Sequence, residues 1–309
     1  MKHRKLGKCG PLVPAICFGA WPIGGGLGSV DTKQAIAAIH CALDEGINFI
    51  DTAEGYQTSE SILGKALVGK RHEVILATKL SGDDHSKKHL RSALENSLTS
   101  LGTDYIDLYQ LHSPQPQWPI EETMSNLLQL KEEGKIRYIG VSNFSSVQTK
   151  HAMSYGPIQT SQPRYNLIFC AEEEENLTFC GNNGIGVLPH SVLAKGLLVG
   201  KYKPGHTFAH DDERRLFNFF RGELFDEIYS VTQDLDNWAQ EQGRDILQLA
   251  VAWTLANPAV SSAIVGMKSP KQVKHVAKAA DWDLTISNLE EVKLIKGNLR
   301  PRWVKDSAN

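Results

Sequence analysis

The chain has 309 residues, of which 41% are hydrophobic and 22% are charged, and its formal net charge at pH 7 is −2. This near-neutral charge, without a long basic run, argues against nucleic acid or an anionic membrane surface as the main partner. No stretch approaches the roughly 18 consecutive apolar residues that a membrane-spanning helix requires, and the five scattered cysteines are typical of reduced thiols in a cytoplasmic protein.

Eight short β-rich runs alternate with longer segments of helical period along nearly the whole chain. The runs cover residues 16–20, 47–53, 74–79, 105–112, 138–143, 158–162, 186–191 and 261–267. They lack strict alternation of polar and apolar residues, which indicates strands buried on both faces of a parallel sheet. Helical segments at 31–46, 87–102 and 121–134 each reach a glycine (Gly46, Gly102, Gly134) where a helix C-cap belongs.

A strand-then-helix succession predicts a parallel sheet, and eight such units predict an α/β protein with a (β/α)8 TIM barrel. We expect one domain over residues 1–309, with a β-hairpin at 3–15, the barrel at 16–280 and a C-terminal extension at 281–309. An extra helix in that extension is predicted to begin at a capping box formed by Ser287 and Glu290. Residues 200–224 form a long connection after the seventh strand, and such loops are usually functional or disordered.

Polar side chains stand at the ends of five successive predicted strands, where a barrel of this type carries its active site. The residues are Asp51, with Tyr56 in the following loop, then Lys79, His112, Ser142 with Asn143, and Gln162. Because the carboxyl ends of all barrel strands meet at one rim, we predict that these groups share one site. Asp107, near the start of the fourth strand, is interpreted as structural.

Four of these side chains have the chemistry of one proton-donating site: Tyr56, Lys79, Asp51 and His112. A tyrosine has an ordinary pKa near 10, and a lysine beside it favours the phenolate, so we expect Lys79 to lower the pKa of Tyr56. Asp51 would keep Lys79 charged and fixed in direction. His112 would orient a substrate carbonyl. Such a set can protonate a developing alkoxide while another group delivers hydride.

Several longer segments carry a family resemblance. They are DTAEGY (51–56), ATK (77–79), YIDLYQLHSP (105–114), GKIRYIGVSNF (134–144), LAKGLLVGKY (193–202) and IVGMKSPKQV (264–273). In this order, and over almost the full length, they resemble the aldo-keto reductase superfamily. The resemblance implies an oxidoreductase that reversibly reduces an aldehyde or ketone with NAD(P)H, bound in extended form without a Rossmann fold. It also implies Tyr56 as the general acid, with Asp51, Lys79 and His112 completing the catalytic tetrad.

The same resemblance implies a set of cofactor contacts. It assigns Ser142, Asn143 and Gln162 to the nicotinamide carboxamide, Ser191, Leu193 and Gly196 to the pyrophosphate, Lys268 to the adenosine 2′-phosphate and Gln272 to the adenine side, with Gly266 beside them. Lys268 favours NADPH over NADH, because a cation beside a phosphate gains a charge-assisted contact. The sequence departs from the family at His190, where a large aromatic residue usually lies against the nicotinamide, at Val192 and at Val276.

Trp21, Trp118 and Phe144 fall on predicted rim loops and are expected to line the pocket for a small carbonyl substrate, while Trp303 lies in the C-terminal tail. No metal is expected. The pairs His85–His89 and His206–His210 have helical spacing but lack a third ligand, so they are interpreted as solvated histidines.

Two alternatives stay open. One is an aldolase that forms a Schiff base on Lys79, which a charged partner at Asp51 would oppose. The other is a regulatory or sensor subunit that binds NADPH and has weak turnover. Neither the substrate nor the oligomeric state can be deduced from the sequence.

Overall fold

The computed structural model of the protein describes residues 1–297. The chain begins with a two-stranded antiparallel sheet of β1 (His3–Lys5) and β2 (Leu12–Pro14), in which His3 pairs with Pro14. This is the hairpin that the sequence predicts at residues 3–15. No helix among residues 1–297 is both long enough and apolar enough to cross a membrane.

Eight parallel strands form the central sheet. They are β3 (Ile16–Gly19), β4 (Phe49–Asp51), β5 (Ile75–Leu80), β6 (Ile106–Leu111), β7 (Ile136–Ser142), β8 (Thr160–Gln162), β9 (Gly186–Val187) and β10 (Ala263–Gly266). Their order is β10-β3-β4-β5-β6-β7-β8-β9. The ring closes between β9 and the residues just before β10, where the Val187 amide donates to the Ala259 carbonyl and the Val187 carbonyl accepts from the Ser261 amide. The predicted barrel and its eight strands are confirmed.

The interior of the barrel is filled with apolar side chains. The set comprises Cys17, Phe49, Ala77, Leu108 and Ile264 from five of the strands and Leu188 directly after β9, together with Leu6 and Val13 from the hairpin region. Burying a side chain of the size of Phe or Leu stabilises the fold by about 1.5–3 kcal/mol. Since the hairpin covers the N-terminal end of the barrel, the C-terminal ends of the strands are left as the open rim.

Ten α-helices accompany the strands within residues 1–297. They are α1 (Thr32–Asp44), α2 (Ser59–Ala66), α3 (Lys87–Leu101), α4 (Ile120–Glu132), α5 (Ser146–Met153), α6 (Asn176–Asn183), α7 (Gly222–Glu241), α8 (Ile246–Ala256), α9 (Pro270–Ala277) and α10 (Ile286–Lys296). The three helices expected at 31–46, 87–102 and 121–134 correspond to α1, α3 and α4.

Helix ends follow local sequence signals. Helix α1 begins where the Asp31 side chain accepts hydrogen bonds from two backbone amides, and α3 ends at Gly102, whose φ of 63° suits a residue without a side chain. Helix α10 differs from the prediction. Thr285 forms its capping box with Asn288, so the expected box at Ser287 and Glu290 is wrong: the helix begins two residues earlier, and Ser287 lies in its first turn.

The long connection after β9 is ordered by aromatic packing. The ring of Tyr202 lies 5.1 Å from that of Phe208, which in turn lies 4.7 Å from that of Phe220. Leu27, in the segment after β3, forms an antiparallel bridge with Asp212. These contacts hold residues 200–221 against the loop that follows the first barrel strand, so the connection covers part of the open rim.

Candidate active site

A cavity of about 560 Å³ lies at the C-terminal ends of the barrel strands, within the range of ordinary ligand pockets. Its lining includes Trp21, Asp51, Tyr56, His112, Ser142, Asn143, Gln162, His190, Ser191, Leu193, Gly196, Gly266, Lys268 and Gln272. The structure therefore brings together nearly all of the residues that the sequence assigns to one site. Lys79 completes the group from below the floor of the cavity.

Lys79 is fully buried at the end of β5 and uses its ammonium group to join two parts of the site. Its Nζ donates to Asp51 Oδ1 over 2.5 Å, to the carbonyl of Thr52 over 2.8 Å and to the hydroxyl of Tyr56 over 3.3 Å. An ammonium group carries three hydrogens, so these three partners can satisfy all of them. A buried cation needs such compensation.

The pKa values of this group differ in part from the expectation. Burial acts to lower the pKa of Lys79, but the charges and hydrogen bonds of Asp51 and Tyr56 together outweigh it and keep that pKa above its ordinary value. Burial raises the pKa of Tyr56, and the opposing effect of Lys79 does not reverse this. The expected net lowering of the Tyr56 pKa is therefore wrong, because loss of water and the nearby Asp51 charge dominate. At neutral pH the phenol keeps its proton and the ammonium keeps its charge.

His112 directly follows β6 and lies beside Tyr56, with the two ring centroids 5.6 Å apart in an edge-on arrangement. Its Nδ1 is 2.8 Å from the hydroxyl oxygen of Ser81. Burial, followed by the positive charges of Lys79 and Lys195, lowers the pKa of His112 to about 3. His112 is therefore a neutral imidazole at physiological pH and acts through hydrogen bonds rather than through charge.

Gln110, which the sequence interpretation missed, completes the environment of Asp51. The side-chain amides of Gln110 and Gln162 both donate to Asp51 Oδ2 over 3.0 Å, and the Gln162 amide also donates to Gln110 Oε1 over 3.1 Å. The available signal was a glutamine inside the otherwise mostly apolar β6, two residues after the inward-facing Leu108. The network leaves Oε1 of Gln162 as its acceptor toward the cavity.

Asn143, His190 and Ser191 form a second chain of hydrogen bonds in the cavity wall. Asn143 donates from Nδ2 to the carbonyl of His112 over 2.9 Å, and its Oδ1 lies 3.0 Å from His190 Nε2. His190 Nδ1 lies 2.9 Å from Ser191 Oγ. Because Asn143 Oδ1 can only accept, the proton of His190 is on Nε2, and burial lowers the pKa of that ring well below its ordinary value. His190 is a neutral ring held at both nitrogens.

A group of cations lines another part of the cavity, and the sequence interpretation identified only Lys268 among them. The others are Lys195, Lys201 and Arg214, all from the chain after β9. Arg214 binds Asp212 and the hydroxyl of Tyr202. Burial and the positive charge of Arg214 both lower the pKa of Lys268. The available signals were the two lysines of the LAKGLLVGKY segment, Lys195 and Lys201, and the Arg214–Arg215 pair in the long connection.

Lys195 is distinctive within this group. Its Nζ lies 3.5 Å from the centroid of the Trp21 ring and 5.1 Å from that of Phe217, so the cation stands between two aromatic faces. Burial lowers the pKa of Lys195 to about 8. Through these contacts Lys195 connects the loop after β3 to the connection of residues 200–221.

Some residues proposed from the sequence do not line the cavity. Trp118 donates from its indole to the carbonyl of Asp83 over 2.8 Å, away from the cavity lining, and Phe144 is 5% exposed and packs in the hydrophobic core. Trp303 is outside the described residues.

One of the four histidines that were expected to be solvated is buried instead. His206 and His210 are exposed as expected, but the interpretation of His85 as solvated is wrong, because it is packed into the protein just before α3 and is 4% exposed. Burial lowers the pKa of its ring. Within residues 1–297, no cluster of three or more His, Cys, Asp or Glu side chains is arranged to hold a metal ion.

The family model described as "Aldo/keto reductase family" matches residues 15–296. An aldo-keto reductase of Bacillus subtilis is 39% identical over 312 residues, covering 96% of this chain and 94% of that protein. A protein of Arabidopsis thaliana named "Probable voltage-gated potassium channel subunit beta" is 34% identical, covering 91% and 92%. The structure of a glycerol dehydrogenase from Gluconobacter oxydans superimposes with a TM-score of 0.88 at 32% identity, covering 97% and 96%. The chain therefore belongs to the aldo/keto reductase family.

Proposed function

We propose that the protein reversibly reduces small aldehydes or ketones to alcohols with NADPH and that Tyr56 is the proton donor. The observation that carries this proposal is the buried ammonium of Lys79, which is held by Asp51 and reaches the hydroxyl of Tyr56 over 3.3 Å at the floor of the cavity. A phenol in that position keeps its proton at neutral pH and has a cation ready to stabilise the phenolate that proton transfer creates.

The cavity suits a dinucleotide phosphate. Arg214 and Lys268 line the same wall, and their mutual repulsion contributes to the lowered pKa of Lys268. A phosphate between them would relieve that repulsion and gain charge-assisted hydrogen bonds. We assign Lys268 and Arg214 to the 2′-phosphate end and Lys201 to the same side, which favours NADPH over NADH.

The remaining contacts follow the residues along the cavity. We assign Ser191, Leu193, Gly196 and Gly266 to the pyrophosphate region, Gln272 to the adenine side, and Ser142, Asn143, Gln162 and His190 to the nicotinamide. Since both donor hydrogens of Gln162 are used within the protein, its Oε1 would accept from the carboxamide of the nicotinamide. When bound, NADPH supplies the hydride.

The protein's own groups would then act on the carbonyl oxygen. Tyr56 donates its hydroxyl proton to that oxygen as negative charge develops on it, and the resulting phenolate is stabilised by Lys79. Asp51 keeps Lys79 charged through the reaction. His112 is neutral and orients the carbonyl by a hydrogen bond, while Trp21 and the connection of residues 200–221 shield the site from water.

The Schiff-base alternative is disfavoured by the same geometry. An aldolase lysine must lose its proton before it attacks a carbonyl. The charges and hydrogen bonds of Asp51 and Tyr56 keep the pKa of Lys79 above its ordinary value, so the neutral amine is scarce at neutral pH. A lysine so firmly paired suits the stabilisation of a neighbouring phenolate.

The regulatory alternative draws support from the similarity to the Arabidopsis protein named as a channel subunit. A panel of aldehydes and ketones, each incubated with NADPH or NADH, separates the two functions. We expect oxidation of NADPH with at least one short aldehyde or ketone, and slower oxidation of NADH. Tight binding of NADPH with no oxidation across the panel would favour a sensor.

A further inference from the structure

We propose that Ser81 is a positioning residue that fixes the tautomer of His112, so that Nε2 carries the proton and donates to the substrate carbonyl. The part of this inference that concerns the carbonyl rests on the proposed function. The part that concerns the tautomer does not, because it follows from hydrogen bonds within the protein itself.

Ser81 and His112 are neighbours because their strands are neighbours. Ser81 is the first residue after β5, His112 is the first residue after β6, and the His112 amide donates to the carbonyl of Leu80 over 3.0 Å. This register places Ser81 Oγ 2.8 Å from His112 Nδ1. The ring is thus held at Nδ1, while His112 also lines the cavity.

The direction of this hydrogen bond follows from the other partner of the hydroxyl. The backbone amide of Gly55 donates to Ser81 Oγ over 3.3 Å, so that oxygen already serves as an acceptor. A serine hydroxyl has one hydrogen to donate. Of the two groups within hydrogen-bond reach of Ser81 Oγ among the described residues, His112 Nδ1 is the one that can accept it. Nδ1 is then unprotonated, and in a neutral imidazole the proton is on Nε2.

The position of Ser81 is itself fixed. Its backbone amide donates to Glu54 Oε1 over 2.5 Å, and the Glu54 amide donates to the carbonyl of Lys79 over 3.4 Å. The serine is therefore tied to the loop that carries Tyr56 and to the strand that carries Lys79. A hydroxyl held in this way has a fixed orientation toward the imidazole.

The tautomer matters because the charge of His112 does not vary. Its pKa of about 3 keeps the ring neutral at physiological pH. The atom that faces the carbonyl oxygen is then a donor in one tautomer and a lone pair in the other. A lone pair would repel the oxygen as negative charge develops on it, whereas an N–H would stabilise it. The tautomer therefore decides whether His112 assists the reaction.

The direct test is nuclear magnetic resonance of 15N-labelled protein, in which long-range 1H–15N correlations distinguish protonated from unprotonated ring nitrogens. The His112→Asn variant identifies the signals of His112. We expect an unprotonated Nδ1 in the wild type and in Ser81→Thr, which keeps the hydroxyl. In Ser81→Ala we expect a mixture of tautomers. A protonated Nδ1 in the wild type, or an unchanged spectrum in Ser81→Ala, would overturn the inference.

Turnover provides the second readout. Removing an oriented hydrogen bond to a developing oxyanion should lower kcat in Ser81→Ala by about 10- to 100-fold, with NADPH affinity retained and with recovery in Ser81→Thr. Ser92→Ala is the matched control, since Ser92 is exposed and its Oγ donates to the carbonyl of His89 within the same helix. It should match the wild type. If the wild type has no turnover, the proposed function fails while the tautomer signals still decide the role of Ser81.

Discussion

Two aspartates on the barrel strands are almost equally buried yet belong to very different surroundings. Asp51 is 2% exposed and stands at the C-terminal end of β4, whereas Asp107 is 4% exposed and stands near the start of β6. Asp51 binds the ammonium of Lys79, which contacts Tyr56 in turn. The difference begins with position along the strand, because the two ends of a barrel of this kind have different roles.

Asp107 is surrounded by hydrogen-bond donors that satisfy both of its carboxylate oxygens. It accepts from Arg71 and Arg137 over 2.7 Å each, and both guanidinium groups lie 4.0 Å from the centroid of the Tyr105 ring. It also accepts from the Leu76 amide over 3.0 Å. This arrangement stabilises the N-terminal part of the barrel, as the sequence interpretation of Asp107 expected. The Asp51 pair instead reaches the cavity through Tyr56, so its charge is available for chemistry.

The largest expected contrast is in turnover. Asp51→Asn leaves Lys79 without its anion, so the phenolate of Tyr56 is less well stabilised and kcat should fall at least about 100-fold. It should also destabilise the fold, because breaking a buried ion pair costs about 3–5 kcal/mol. Steady-state kinetics below the melting temperature measure the first effect and urea unfolding measures the second. If Asp51→Asn kept the wild-type kcat, Asp51 would have no part in the reaction.

The matched substitution on the other side of the comparison is Asp107→Asn. We expect a loss in the free energy of unfolding of about 1–3 kcal/mol, because Arg71 would remain partly buried with a weaker partner. The kcat of the folded enzyme should stay within about twofold of the wild type, since Asp107 acts on stability and not on the transition state. Denaturant unfolding and kinetics on the same preparation measure both. A large loss of kcat with unchanged stability would contradict the structural role.

A smaller effect is expected at the group of cations that lines part of the cavity. Lys268→Ala removes one charge from the proposed 2′-phosphate site, so the Kd for NADPH should rise about tenfold while the Kd for NADH stays nearly constant. Fluorescence titration measures both constants. Lys203→Ala is the control, because Lys203 belongs to the same connection but is exposed. Equal weakening of the two cofactors in Lys268→Ala would place the lysine elsewhere along the dinucleotide.

The smallest effect is in the response to pH. The pKa of His112 is about 3 in the folded protein and near 6.5 in the unfolded chain. Because the unfolded chain binds the extra proton, His112 contributes stability that is present above pH 6.5 and is lost as the pH falls toward 3. His112→Gln should therefore show a shallower loss of stability between pH 7 and pH 5. Identical slopes for both proteins would indicate that His112 is more accessible to water than the structure implies.

Much of this fold could be predicted from the sequence, because it depends on local patterns. Apolar runs without alternation located the eight strands, and glycines such as Gly102 marked the ends of helices. Tyr56 and His112 could be assigned to one site because barrel topology brings the ends of successive strands to one rim. The first turn of α10 was harder to predict, since Thr285 and Ser287 each have a plausible capping partner three residues later, Asn288 and Glu290.

The residues that were missed depend on facts that a sequence pattern does not contain. Gln110 and Ser81 acquire their roles from strand register, which sets the neighbours of each side chain across the barrel. Arg214 reaches the cavity because the connection after β9 folds back over the rim. Conversely, Trp118 lies on a rim loop but turns toward Asp83, because a loop position alone does not fix the direction of a side chain.

The central claim is that the hydroxyl of Tyr56 supplies the proton, and the substitution Tyr56→Phe tests it most directly. We predict that kcat for carbonyl reduction falls by at least about 100-fold, while the Kd for NADPH stays within about twofold of the wild type. Tyr155→Phe, at an exposed tyrosine, is the control and should leave kcat unchanged. Reduction by Tyr56→Phe at the wild-type rate would contradict the account, because the proton would then come from another group.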